Sequence, residues 1–407
     1  ATRIAAGLFL SFLTVQSAFI VLAPTLPDVA REFGVSTGTA GQLRTVAAVA
    51  GVATALTLAP LGRVVGIRRL LVTGLGVLAA GATASALAPT FALLAVGQVT
   101  LGMGGAAVLS AGLAAAGDWP AREQRTRVLA WTTVGQPAAW VLGLPAVGAL
   151  SHLGWRWGWI VVPAAAAAAL AVLPCGPSRN APASAATGSA WGDPRVRRWA
   201  FGEVMAYAGW GGTLVYAGAL LSETYDLGTS TVGLLLGAAA VAYFPGTFAA
   251  RRRLEGDLRA LLGGLAIALA FGAAAFGALR PSAFVSTGLF AVLILLAGAR
   301  GIAGSAFGLN AAPEHKVTIG SIRAAATQLG YLAGAAAGGI ALDLGGYPVV
   351  GLTLAGFFAA AAVPHLSLGF GRRPLRGAQR ALAPIYSEWS GADRELALEA
   401  GARPCGG

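Results

Sequence analysis

Residues 70–117 read LLVTGLGVLAAGATASALAPTFALLAVGQVTLGMGGAAVLSAGLAAAG, a run without one charged side chain. A bilayer core about 30 Å thick is crossed by about 20 residues of helix, because each residue rises about 1.5 Å. The run is about twice that length and has one natural break, Ala88-Pro89-Thr90, where the proline ends a helix and opens a turn. It therefore reads as two spans folded back on each other. Backbone amides in lipid must be bonded within their own segment, so helices are the expected form throughout.

The same ruler applied outward gives Ile4–Pro27, Thr45–Gly62, the two halves of Leu70–Gly117, Val128–Ser151, Trp157–Ser178, Trp199–Ser222, Leu227–Ala250, Ala260–Leu279, Pro281–Pro313, Ala324–Leu342 and Leu344–Gly371. Twelve spans are expected, and the first is too long and too plain at its end to be a signal peptide. The whole chain agrees: 56% of its 407 residues are hydrophobic, 11% are charged and the mean hydropathy is +0.72. Such a composition excludes an ordinary soluble domain.

A net charge of +12 in a soluble protein would point to nucleic acid, but the charges lie in the loops. Arg3, Arg63, Arg68, Arg69, Arg122, Arg125, Arg127, Arg179, Arg195, Arg197, Arg198, Arg251, Arg252, Arg253, Arg259, Lys316 and six tail arginines share one side. The other side has Arg31, Arg156 and Arg280. Cytoplasmic loops retain positive charge, so both termini are expected in the cytoplasm, with the lipid bilayer and no nucleic acid as partner. The abundance of Arg over Lys, with much Ala and Gly, fits a GC-rich bacterial genome and hence a bacterial inner membrane.

A Pro/Ser/Gly/Ala-rich stretch after Gly176 reads as a flexible linker. The expected organisation is an N-terminal six-helix half at 1–175, a linker at 176–198, a C-terminal six-helix half at 199–371 and a cytoplasmic tail at 372–407. Thr132-x-x-Gly135 recurs as Thr327-x-x-Gly330, and Ala149-Leu150-x-x-x-Gly154 as Ala341-Leu342-x-x-x-Gly346, a weak trace of duplication. Cys175 and Cys405 have no metal-ligand spacing, and His152, His315 and His365 are scattered. No cofactor, metal or enzymatic triad is expected.

The loop Ala59-Pro60-Leu61-Gly62-Arg63-Val64-Val65-Gly66-Ile67-Arg68-Arg69 resembles the signature loop of the major facilitator superfamily. Leu61, Gly66 and Arg68 match it, while Arg63 stands where the family carries an acid, so the usual charge latch cannot form in the usual way. Gly135-Gln136-Pro137, Gly143-Leu144-Pro145 and the trailing Gly154-Trp155-Arg156 are similar to the fifth helix of drug:proton antiporters in that superfamily. Glycine and proline there suit a gating helix, and also ordinary close packing. Pro24-Thr25-Leu26-Pro27-Asp28 resembles the family's entry to the first outer loop, which implies a structural Asp28. Gln98, four residues before Gly102, replaces the arginine of the family's fourth helix. The resemblance implies an all-α major facilitator fold of two pseudo-symmetric six-helix bundles.

An ionisable group inside a span is a functional candidate because it is costly there. Glu203 is the acid clearly inside one, with Tyr207 and Trp210 on its face at i+4 and i+7. It is the candidate proton carrier, and pairing with a loop arginine such as Arg198 is the alternative. Arg300 is the deepest cation and is expected to meet Glu203 or an anionic cargo. Arg44 and Arg323 fall close to the expected span ends and read as interfacial. Thr14, Gln16, Gln98, Gln136, Trp140, Gln328 and Tyr331 complete the cavity candidates. The expected function is proton-coupled efflux of a small hydrophobic or amphiphilic compound by a monomer. The alternative is import or facilitated passage of an anionic metabolite, with Arg300 as its anchor.

Overall fold

The computed structural model describes residues 2–61, 66–174, 191–312 and 316–366, all of them helical or in short connections. The helices are α1 (Thr2–Phe33), α2 (Thr37–Leu61), α3 (Ile67–Leu87), α4 (Phe91–Asp118), α5 (Arg125–Ser151), α6 (Trp155–Val172), α7 (Pro194–Tyr225), α8 (Thr229–Arg251), α9 (Leu258–Ala278) and α10 (Ala283–Ala311). A last helical run, Lys316–Leu366, breaks at Gly345–Gly346 and makes two crossings, α11 (316–344) and α12 (347–366). Twelve crossings result, as expected. Arg63, the linker segment 175–190 and the tail lie outside the described residues.

Local chemistry places the breaks. Pro24 lacks the N–H that Ile20 would receive, and the helix of α1 turns at Val21, whose carbonyl instead accepts the Thr25 hydroxyl at 2.7 Å. Asp193 caps α7, accepting the Arg195 amide at 2.7 Å with Pro194 in the first turn, so the helix starts ahead of Trp199. The Arg195 guanidinium beside Asp193 holds that carboxyl below its ordinary range. Gly346 has φ +69° and ψ −164°, a region only glycine occupies without strain. Gly346→Ala is expected to cost about 1–3 kcal/mol, read as a lowered Tm of the purified protein; an unchanged Tm would show that this turn tolerates a Cβ.

Two helix starts differ from the sequence reading by about two turns, with consequences below. The helix α2 begins at Thr37 rather than Thr45, and α11 begins at Lys316 rather than Ala324. Arg44 and Arg323 each lie two turns inside a helix, and their side chains meet groups on neighbouring helices. Neither 37–44 nor 316–323 contains a proline, the glycines there are tolerated within the packed helices, and arginine itself is a good helix former.

The central helices are α1 and α7, whose most apolar windows are 61% and 78% buried; most others present much of their surface outward. Phe271, Phe284 and Leu344 are among the large apolar side chains on that lipid-facing surface. The two halves meet along α2 with α11, α5 with α8, and the outer part of α1 with α7. Four hydrogen bonds that join the halves lie at the end remote from the termini. Thr37 donates to Glu223, Gln42 to the Ala336 carbonyl at 3.2 Å, Thr229 to Asp28, and Ser230 to the Gly148 carbonyl at 2.8 Å. At the same end all six connections are short, from Gly34–Ser36 to Gly345–Gly346.

Candidate functional site

A charge cluster occupies the C-terminal half, toward the end that carries the termini. Glu203, fully buried on α7, offers both oxygens to arginines of other helices. Its Oε1 faces Nη1 of Arg300 at 3.0 Å, an ion pair without hydrogen-bond alignment, and its Oε2 accepts from Nε of Arg323 at 3.2 Å. Arg300 also donates to the Gly202 carbonyl at 2.9 Å. Arg323 donates to the Tyr207 hydroxyl at 3.0 Å, to the Gly301 carbonyl at 2.8 Å and to Ser305. Room for the carboxylate comes from Gly304, where a Cβ would stand 2.5 Å from Oε1. His365 borders the cluster, with its ring on Phe307 and its Nε2 without a partner. One acid against two guanidiniums leaves the cluster net positive, and removing the acid would leave buried charge uncompensated.

The expected Glu203–Arg300 pair is present, and Arg323 is the partner that span arithmetic missed. Tyr207 and Trp210 do share the Glu203 face, with different duties. Tyr207 holds Arg323 and meets Tyr331 edge-on at 5.9 Å; Trp210 stacks on Phe290 and meets Trp140 at 5.6 Å. Trp140, from the other half, also meets Tyr243 at 5.2 Å, so aromatic rings bridge the halves at mid-membrane.

A narrow cavity lies between the halves beneath their sealed end, walled by Gln16, Phe19, Arg44, Leu214, Phe290 and Tyr331 among others. Arg44 is 5% exposed, and neither of its Nη atoms has a hydrogen-bond partner. The rings of Phe19 and Tyr331 flank its guanidinium at 4.0 and 5.2 Å. Cation–π contacts contribute about 0.5–2 kcal/mol, whereas taking a charge out of water costs several kcal/mol, so ring contacts alone do not compensate Arg44. Tyr331 on the cavity wall meets Tyr207, which holds Arg323, so a chain of side-chain contacts links the cavity to the charge cluster.

The remaining candidates scatter. Gln16 lines the cavity, and Gln328 sits buried on the α2–α11 seam with its Oε1 unpartnered and its Nε2 pointing to Gly51. Thr14 spends its hydroxyl on the Leu10 carbonyl at 2.7 Å, and Gln98 donates to Ser85 at 3.0 Å inside the α3–α4 hairpin, away from the cavity. Gln136 is half-buried on α5. Arg300 is absent from the cavity wall. On α5, Gly135 packs on the Phe9 carbonyl of α1, Gly143 on Ile20 and Ser17, and Pro145 on Gly237 across the halves; Pro137 is also inside this helix. Gly66 precedes α3, and Arg68 follows with a buried Nε that lacks a partner.

Twelve crossings among the described residues, in two halves joined at one end above a mostly apolar cavity that contains one arginine, define a membrane transporter rather than an enzyme. The family model of the Major Facilitator Superfamily matches residues 7–319, and the chain belongs to that family. A chloramphenicol resistance protein of Streptomyces lividans is 31% identical over 179 residues, which are 44% of this chain and 44% of that relative, so the match spans under half of either. A bacterial homologue of the human lysosomal transporter Spinster, solved inward-facing and occupied, superposes with a TM-score of 0.72 at 14% identity over 96% of this chain and 97% of that one. The human organic anion transporter MFSD10 (TETRAN) gives 0.63 at 17% identity over 89% and 99%. At these identities the two structures speak for the fold alone.

Proposed function

We propose that the chain is a secondary active transporter of a bacterial cytoplasmic membrane, with both termini cytoplasmic, exporting a small hydrophobic or amphiphilic compound in exchange for protons. The observation that carries this reading is Glu203, a fully buried carboxylate shared by arginines of α10 and α11. A proton on Glu203 removes the charge that holds Arg323, and Arg323 belongs to α11, the helix that seals the far end against α2. Protonation thus biases the seam between the halves, as alternating access requires. With cytoplasmic termini, the sealed end is external and the conformation is inward-facing.

The partial likeness to a chloramphenicol resistance protein supports export and an antibiotic-like cargo. The rival reading, an anionic metabolite anchored on Arg300, is weakened because Arg300 is engaged by Glu203 and the Gly202 carbonyl. The test is expression in a bacterium lacking its main efflux pumps, with accumulation of antibiotics and dyes measured with and without a protonophore. Accumulation of at least one compound is expected to fall severalfold and to recover with the protonophore. No change for any compound, with the protein confirmed in the membrane, would remove the export reading.

A further inference from the structure

Arg44 is the cation on the wall of the cavity between the halves. Its guanidinium reaches the cavity from two turns inside α2, both Nη groups are buried without partners, and its central carbon lies over the rings of Phe19 and Tyr331. Ring contacts use the faces of a guanidinium and leave its N–H groups, which lie in the plane, free to donate. The cavity wall contains no acid, and the nearest deep carboxylate, Glu203, is taken by two other arginines. The walls beside Arg44 are apolar: Leu144, Leu214, Leu236 and Phe290.

We propose that the cargo is a monoanion, a planar carboxylate on an apolar or aromatic body, with the carboxylate bonded to the in-plane N–H edge of Arg44 and the body against Leu214, Leu236 and Phe290. A planar fork matches a carboxylate in two parallel hydrogen bonds, and one cation calls for one negative charge. The inference rests on the reading that this cavity holds cargo. An anionic cargo would also compensate a guanidinium whose Nη groups are buried without partners in the cargo-free carrier, so cargo binding stabilises the protein.

The test uses the full chain purified in detergent and three matched probe pairs: benzoate and benzamide, 1-naphthoate and 1-naphthamide, biphenyl-4-carboxylate and its carboxamide. The half-saturating concentration for thermal stabilisation is measured for wild type, Arg44→Gln, Arg44→Lys and Leu214→Trp. At least one carboxylate is expected to stabilise wild type about tenfold more tightly than its amide. Arg44→Gln should erase that preference, Arg44→Lys should keep part of it, and Leu214→Trp should weaken the carboxylate by filling the space of its body. Equal binding of carboxylates and amides, no stabilisation by any of the three carboxylates, or an unchanged preference in Arg44→Gln would overturn the proposal. If Arg44→Gln does not fold, unaltered binding in both Arg44→Lys and Leu214→Trp overturns it instead. Loss of protonophore-sensitive export with carboxylate binding intact would sink the export reading and leave this site standing; the converse would sink this site alone.

Discussion

Glu203→Gln is expected to abolish proton-driven transport, by about tenfold or more, while cargo exchange at equal pH on both sides of a vesicle continues. Glutamine keeps the size and the acceptor oxygen of the protonated acid but cannot release a proton, so it fixes one of the two states that coupling must alternate between. Arg300 and Arg323 would then face a neutral amide at the positions where they now meet a carboxylate at 3.0 and 3.2 Å. Glu203→Ala goes further, stranding two guanidiniums without an acceptor. Breaking a buried pair in this way costs about 3–5 kcal/mol, so a lower yield and Tm should accompany it. Adding Arg323→Gln to Glu203→Gln should recover part of any lost stability, because it removes one uncompensated charge. Wild-type pH-gradient-driven transport in Glu203→Gln would end Glu203's candidacy as the proton carrier.

The second large effect is expected at the seam between the halves. Pro27 has no N–H for the Ala23 carbonyl four residues back, and Gly218 of α7 packs directly on that carbonyl; a Cβ there would stand 1.9 Å from the oxygen and 2.6 Å from its carbon. Backbone cannot step aside as a side chain tip can, so Gly218→Val must part α1 from α7 at the sealed end. Overpacking of this kind costs about 1–3 kcal/mol, and here the cost falls on the closed arrangement, so the populations shift about fivefold or more toward one open at that end. A cysteine in place of Gln42, in a chain with Cys175→Ser and Cys405→Ser, should label faster from the side remote from the termini when Gly218→Val is present. Transport should fall about tenfold. Unchanged labelling and unchanged transport together would mean that the seam is not a moving part.

The crossings were legible because lipid imposes a length rule on uncharged runs, and Leu70–Gly117 satisfies it twice. The Glu203–Arg300 pair was legible as one of two readings for each residue, because a charge deep in an apolar run needs compensation; Arg198 and an anionic cargo were the alternatives. Arg44 and Arg323 were not legible in this way. Treating arginine as a span terminator cut α2 and α11 short, although no proline stands in the eight residues that were left out of each. What makes Arg323 tolerable inside is a carboxylate 120 residues away, and no local pattern carries that information. Gln98 misled in the opposite direction. It stands where the resemblance to the family's fourth-helix motif would place an arginine, yet its amide is spent on Ser85 across a tight hairpin, a contact its own helix does not reveal. The aromatic bridge of Trp140 with Trp210 and Tyr243 joins three helices from two halves, so only the assembled fold discloses it.

The six short connections at the sealed end have a practical corollary. A surface made of turns such as Gly34–Ser36, His152–Gly154 and Gly345–Gly346 has almost no relief above the helix ends. An antibody or a protease approaching from that side finds too little chain to grip or cut, and an epitope tag inserted there would have to distort a turn. The widest of them, Leu279–Ser282 between α9 and α10, is accordingly the place to graft a handle for a binding reagent or a fluorophore.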